Sequence, residues 1–176
     1  MQSASDKSTA TAEASLLVGH PLWQPLRVGA YTLPNRIIFG AHPTNFGVGN
    51  GFTPRHQAYY TARATGGAGL LITEALTVHA LDWPYEHVPF GHTDAIVPSL
   101  RALREAVHAA NPETVLLAQL NHTGGQTSGK LLRQSPWAPS NTVDVASKKM
   151  ARAMLPTEIA QVVAGYGAAA GRVAQA

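Results

Sequence analysis

Three short apolar runs, separated by segments with helical character, constrain the fold of this chain more than any other feature. The runs are Ile37–Phe39, Leu70–Thr73 and Val115–Ala118. Their near-continuous apolar character is typical of strands that are covered on both faces of a sheet. Strands that alternate with helices favour parallel pairing with right-handed crossovers. The sequence therefore predicts an α/β fold.

The helices between and after these strands are predicted from their start and stop signals. The first is predicted over residues 53–65, because Thr53 can cap a free N–H and Pro54 suits the first helical position. The second is predicted to begin within residues 94–98 and to end before Asn111. The third is predicted to begin at Thr157 and to continue to the end of the chain.

The remaining segments carry weaker signals. Residues 1–15 are polar and lack the apolar core of a signal sequence, which predicts a disordered tail before a single domain over residues 16–176. The lead-in over residues 22–33 is predicted as turns. The stretch that contains Pro136 and Pro139 is predicted as irregular.

Composition excludes several classes of function. The formal net charge is only +3 and the basic residues are scattered, so no stripe could neutralise a row of nucleic-acid phosphates. The absence of cysteine excludes a disulfide, a cysteine nucleophile and an iron–sulfur cluster within the chain, and it fits a cytoplasmic protein. No apolar run approaches the roughly 18 residues of a membrane span, so no membrane association is predicted.

Two other kinds of site are considered and set aside. The eight histidines are dispersed, without the pair on one helical face that would predict a metal site, and His56 and His108 are interpreted as solvated helix residues. Residues 124–130, GGQTSGK, nearly match a phosphate-binding loop. However, Leu131 replaces the hydroxyl residue that would bind magnesium, and Pro136 does not favour the required helix, so nucleotide hydrolysis is not predicted.

Four motifs occur in an order and at a spacing that resemble the old yellow enzyme family. They are Asn35–Ile38 (NRII), Gly66–Ala75 (GGAGLLITEA), Gln119–Gly125 (QLNHTGG) and Ala138–Ser140 (APS). Within the family, the chain is most similar to the 2,4-dienoyl-CoA reductase branch, which includes members associated with the mycofactocin system. The resemblance covers residues 16–176.

The resemblance implies a flavoprotein. The family folds as a TIM (β/α)8 barrel and binds FMN at the carboxyl ends of the strands, where the active sites of such barrels lie. NAD(P)H reduces the flavin, which then passes hydride to the activated C=C bond of a small-molecule substrate, of enone or enoyl type. The cofactor supplies the difficult chemistry, while the protein positions it.

Two of the residues that the resemblance assigns to flavin binding lie at the ends of strands. Gln119 has a side-chain amide that donates and accepts, which suits the pyrimidine edge of the ring. Taken from the residues alone, Gln119 is better interpreted as a strand-end residue bonded to a loop. Ala75 is small enough for the ring to approach the backbone, although by itself it reads as a core alanine. Its neighbour Glu74 is expected to have a structural hydrogen-bonding role.

The other assigned residues lie in loops. Ala41, His42, Pro43 and Thr44 follow the first strand, where family members place a hydroxyl or thiol residue that tunes the flavin. Pro43 stands at that point and has neither a hydroxyl nor an N–H, so Thr44 is expected to compensate. His122 follows the third strand and is expected to shape the loop near the flavin.

The chain ends after three strand–helix units, so the resemblance implies the N-terminal three βα units of the barrel, incomplete. The catalytic residues that grip the substrate, and those that hold the FMN phosphate, are expected beyond Ala176. We therefore expect an N-terminal fragment that is inactive alone, with a partner chain as one possible source of the remaining units. The alternative is a non-catalytic barrel remnant that acts as a binding or assembly module.

Overall fold

The computed structural model describes residues 19–128, 131, 133–145 and 147–176. The predicted tail over residues 1–15 and the first three residues of the predicted domain lie outside this range. Strands β1 (Leu26–Val28) and β2 (Tyr31–Leu33) form an antiparallel hairpin. Gly29 has a φ of 58° at the turn between them. The lead-in is thus a hairpin rather than the turns alone that the sequence predicted, because three-residue strands leave no readable alternation.

A three-stranded parallel sheet forms the centre of the described structure. Its strands are β3 (Ile38–Phe39), β4 (Leu70–Thr77) and β5 (Val115–Asn121), in the order β3-β4-β5. The predicted α/β fold with parallel pairing is confirmed. Strands β4 and β5 extend beyond the predicted ends by several residues, because their backbones pair as far as Thr77 and Asn121.

Three long helices accompany this sheet among the described residues. They are α1 (Pro54–Thr65), α2 (Ile96–Ala110) and α3 (Pro156–Gln175). All of them begin and end within about two residues of the predicted bounds. None of the described helices is long and apolar enough to cross a membrane.

The core lies where α1 and α2 pack against the sheet. Most of its buried members come from both helices and from β4, with partly buried side chains of β3 and β5 at its edge. They include Tyr60, Ala64, Leu71, Leu76, Ile96, Leu103 and Val107. Burial of this apolar surface attaches both helices to one face of the sheet, and this attachment holds the strand ends in place.

A β-bulge interrupts the pairing of β4 with β5. Ile72 pairs with Leu117, but the next pair is Ala75 with Gln119. Two residues of β4 therefore stand opposite a single residue of β5. Such bulges are common beside active sites, because they change where the following side chains point.

At the bulge, some backbone N–H groups do not pair between the two strands, and side chains accept their hydrogen bonds instead. The N–H of Glu74 donates to the hydroxyl of Tyr60 at 2.7 Å. The N–H of Gln119 donates to Oγ1 of Thr73 at 3.3 Å. Thr73 and Glu74 are both fully buried, so these bonds avoid the cost of buried unpaired donors.

The stretch after β5 contains a second small sheet, which corrects the prediction of irregular structure. Its strands are β6 (Trp137–Ala138), β7 (Thr142–Val143) and β8 (Met150–Ala153), in the order β6-β8-β7. Strands of two to four residues are too short for a periodic pattern to be read. The guanidinium of Arg152 binds the carboxylate of Glu158 at the start of α3, with one N–O distance of 2.8 Å, and lowers the pKa of Glu158 to about 2.

Asn35 joins the entry of β3 to the entry of β4. Its Nδ2 donates to the carbonyl of Gly67 at 2.7 Å, and its Oδ1 accepts from the N–H groups of Ile37 and Gly69 at 3.0 and 3.1 Å. A Cβ at position 69 would lie 2.7 Å from this Oδ1, so only glycine fits there.

Asn35→Ala is expected to destabilise the protein by about 2–4 kcal/mol, because it removes all three hydrogen bonds that the Asn35 side chain makes between the entries of β3 and β4. Urea unfolding measures this loss. Gln161→Ala, at an exposed position of α3, is the control and should change stability by less than about 0.5 kcal/mol. Equal stability of the two variants would contradict the role of Asn35.

Candidate functional site

The parallel strands β3, β4 and β5 end at one edge of the sheet, and all the residues predicted from the sequence to contact a cofactor lie at this edge. Ala41–Thr44 belong to the loop after β3 (residues 40–53), which we call the β3 loop. Ala75 and Gln119 lie near the ends of β4 and β5, and His122 directly follows β5. The carboxyl edge of parallel strands is where ligands of α/β folds bind.

The bulge makes Ala75 and Gln119 direct partners on neighbouring strands. Partners in register present their side chains on the same face of a sheet. Gln119 is exposed and Ala75 is half-buried. An exposed amide beside a small side chain leaves room for a flat group and offers that group both a donor and an acceptor.

The start of the β3 loop carries an aromatic surface. Tyr59 of α1 lies against the exposed His42, with its hydroxyl 3.1 Å from Nε2, and the two ring centroids are 5.6 Å apart. Phe39 packs edge-on against both rings. Ala41 is half-buried and Pro43 is exposed, so the loop presents small or rigid residues at the strand ends.

Thr44 is turned toward Glu74. Its N–H donates to Oε2 of Glu74 at 3.1 Å, and its hydroxyl donates to Oε1 at 2.6 Å. From the sequence, these two donors of Thr44 were expected to contact a flavin ring, because Pro43 has neither of them. In this structure both of them bind a carboxylate of the protein.

Glu74 accepts two further hydrogen bonds. His56 Nε2 lies 2.5 Å from Oε1, and the hydroxyl of Tyr85 donates to Oε2 at 3.1 Å. Nδ1 of His56 accepts the N–H of Thr53 at 2.9 Å, which leaves the ring proton on Nε2, directed at Glu74. A carboxylate with four donors is well satisfied although it is fully buried.

The balance of burial and hydrogen bonding determines the pKa of Glu74. Burial alone would raise this pKa, but the hydrogen bonds from His56 and from the side chain and N–H of Thr44 outweigh it. The pKa of Glu74 therefore lies below its ordinary value, and the group is ionised at neutral pH.

The interpretation of His56 as a solvated residue was wrong, because its side chain is fully buried between α1 and β4. Tyr85 and Tyr60 were also missed as partners of Glu74. One signal was present in the sequence: His56, Tyr60 and Ala64 follow one another at intervals of four and share the buried face of α1.

His122 lies beside a second buried carboxylate. Its N–H donates to the hydroxyl of Tyr166 at 3.0 Å, and its ring centroid is 6.2 Å from that of His79. Asp82 accepts the N–H of Thr123 at 2.7 Å through Oδ2. Within the described part of the chain, its Oδ1 is buried without a hydrogen-bond partner.

Burial shifts the pKa values of this pair toward the neutral forms. It raises the pKa of Asp82, and the hydrogen bond from the N–H of Thr123 offsets only part of that effect. It lowers the pKa of His122, which the nearby Asp82 carboxylate only partly opposes. His122 is therefore an uncharged residue of the loop at neutral pH.

Within the described residues, no group of three or more His, Asp or Glu side chains could hold a metal ion. Gly124–Gln126 form a short 3-10 turn, and the last two residues of the GGQTSGK segment lie outside the described range.

Comparison with known proteins defines the class. Residues 21–176 match the model of the NADH:flavin oxidoreductase / NADH oxidase family. The fold is similar to that of the old yellow enzyme homologue from Zymomonas mobilis, with a TM-score of 0.78 and 28% identity over 88% of this chain and 45% of the other. Morphinone reductase in complex with tetrahydroNAD gives a TM-score of 0.79 at 28% identity, over 88% of this chain and 46% of the other.

The chain belongs to this NADH:flavin oxidoreductase family, the old yellow enzyme family. Among its relatives is a flavin oxidoreductase of Emericella nidulans, 30% identical over 89% of this chain and 43% of the relative. A probable N-methylproline demethylase of Rhizobium meliloti is 28% identical over 87% of this chain and 23% of the relative. The chain thus spans less than half the length of these relatives.

Glu74→Gln is expected to destabilise the protein by about 3 kcal/mol at pH 7, because an amide oxygen cannot accept all the donors that the carboxylate binds. The folded-state pKa is below the unfolded value of about 4.5, so this stabilisation is complete above that value. It is lost as the pH falls through the folded-state pKa. Urea unfolding from pH 7 to pH 3 should show the difference between the two proteins shrinking with acid, and a constant difference would contradict the assignment.

Asp82→Asn is expected to show the opposite pH dependence. The pKa of Asp82 is raised in the folded state, so the ionised carboxylate increasingly opposes folding as the pH rises through that value. The stability of the variant relative to the original chain should therefore increase from pH 3 to pH 7. A decrease over this interval in the same urea series would show that burial does not dominate at Asp82.

Proposed function

We propose that residues 19–176 form the flavin-ring side of an FMN-dependent oxidoreductase. In this proposal NAD(P)H is the reductant, and an enone or enoyl compound of small size is the substrate. The observation that carries the proposal is the pairing of Gln119 with Ala75 at the carboxyl edge of the sheet. This pairing places an exposed amide beside a small side chain, in a chain of the flavin oxidoreductase family.

The residues at this edge fit a flavin ring. The amide of Gln119 would hold the pyrimidine edge, and Ala75 would leave the backbone of β4 accessible. Ala41, His42 and Pro43 would border the ring from the β3 loop, and His122 would support the loop on the other side. When bound, FMN would supply hydride transfer, which protein side chains do not provide.

Relatives support the choice of reaction class. One is described as chanoclavine-I aldehyde reductase of Penicillium roqueforti, 32% identical over 85% of this chain and 41% of the relative. Another is described as a probable NADH-dependent flavin oxidoreductase of Bacillus subtilis. The branch similar to 2,4-dienoyl-CoA reductases, which the motifs predict, is consistent with an enoyl substrate.

We further propose that these residues are the first three βα units of a TIM (β/α)8 barrel and are inactive alone. The fold matches family barrels over less than half of their length. In the proposal, the remaining units hold the FMN phosphate and the substrate. They belong either to a longer form of this protein or to a second chain.

Gln119→Ala is expected to weaken FMN binding about tenfold, because two neutral hydrogen bonds together contribute about 1.4 kcal/mol. The measurement is a titration with FMN, followed by flavin absorbance, of the chain combined with the remaining units of the barrel. Gln126→Ala, at an exposed position outside the strand ends, is the control and should bind FMN as the original does.

The same preparation tests the reaction. The combined protein should be yellow and should oxidise NADH or NADPH when an enone such as 2-cyclohexenone is added. A colourless and inert combined protein would contradict the proposed function, and it would favour a non-catalytic module instead.

A further inference from the structure

We propose that Glu74 is a positioning residue, which acts through Thr44 to set where the β3 loop meets the flavin ring. The proposal rests on the function proposed above. It assigns to the buried carboxylate a role beyond packing, namely to hold both donors of Thr44 and, through them, the β3 loop.

The hydrogen bonds of Glu74 join four separate segments of the chain, its own strand included. Thr44 belongs to the β3 loop, His56 to α1, Glu74 to β4, and Tyr85 to the loop between β4 and α2. Both loops border the candidate site. The carboxylate therefore connects the two loops to the rigid part of the fold at a single buried point.

The bulge is what makes this arrangement possible. Because β4 has two residues where β5 has one, Glu74 contacts α1 through Tyr60 and His56, while Ala75 stays in register with Gln119. In a regular strand that continued the pairing of Ile72 with Leu117, Glu74 rather than Ala75 would pair with Gln119. The bulge thus directs the carboxylate of Glu74 toward α1 and leaves Ala75 beside Gln119 in the candidate flavin site.

The charge of Glu74 matters more than its volume. Each carboxylate oxygen accepts two hydrogen bonds, and both donors of Thr44 are used. Glutamine has nearly the same size, but its nitrogen donates and cannot accept from the N–H of Thr44 or the hydroxyl of Tyr85. We therefore expect the β3 loop to loosen when the charge is removed, even where the fold is retained.

Glu74→Gln tests this role directly by amide hydrogen exchange, read residue by residue by NMR. The protection of the Thr44 amide should fall at least tenfold relative to that of Leu103 in the core of α2. Glu113→Gln removes the same charge at an exposed position and should leave the ratio unchanged. An unchanged ratio in Glu74→Gln would overturn the proposal.

The original chain offers a second test that does not depend on the folding of a variant. The proton shift of the Thr44 amide should titrate as Glu74 is protonated, at a pH below the ordinary range of glutamate. A role in packing alone would leave this shift flat. A flat Thr44 shift through the titration of Glu74, followed by the side-chain carbon resonance, would overturn the proposal.

A third experiment measures whether Glu74 affects FMN binding. In the complete barrel, Glu74→Gln should weaken FMN binding at least tenfold, and Glu113→Gln should not. Unchanged FMN affinity in Glu74→Gln would overturn the link between Thr44 and the ring. If the original barrel does not bind FMN, the function proposed above fails, while the two NMR tests still decide whether Glu74 positions the loop.

Discussion

The position of β4 between two parallel neighbours is the constraint on which the rest of the structure depends. It pairs with β3 through Leu70 and Leu71, and with β5 along most of its length. Asn35 fixes the start of β4 against β3, and the hydroxyl of Thr114 donates to the carbonyl of Ala68 at 3.0 Å on the other side. With its entry held on both sides, β4 can contain a bulge near its end without losing register at its start.

Ionisation of Glu74 follows from this geometry. A buried carboxylate is unfavourable unless hydrogen bonds replace its hydration. Here the donors come from the backbone, two hydroxyl groups and an imidazole of fixed tautomer. Asp82 presents the contrasting case, since one oxygen binds the N–H of Thr123 and the other has no partner among the described residues. Glu74 and Asp82 are similarly buried, but their pKa values shift in opposite directions because Glu74 has more hydrogen-bond donors around it.

The sequence predicted the features that rest on long patterns. The apolar run of β4 and the stripe of Leu100, Leu103 and Val107 on α2 lie in the core as expected, whereas the run of β5 is only partly buried and its Leu117 is exposed. The sequence also identified which residues follow the strands, so Ala75 and Gln119 were placed at one edge. It did not predict the bulge, because the choice of partner across two strands depends on contacts such as the one between Tyr60 and Glu74. For the same reason His56 was taken for a surface residue.

The contacts that build the carboxyl edge are distant from one another along the chain. Leu70 pairs with Val115, and Glu74 joins residues as far apart as Thr44 and Tyr85. Loops of this length must close before such contacts contribute, and closure carries an entropic cost that slows folding. The helices can form early from local interactions, whereas the edge requires all three strands. We therefore expect the candidate site to form late in folding, so that slow pairing of β5 would delay the site while leaving helix formation unaffected.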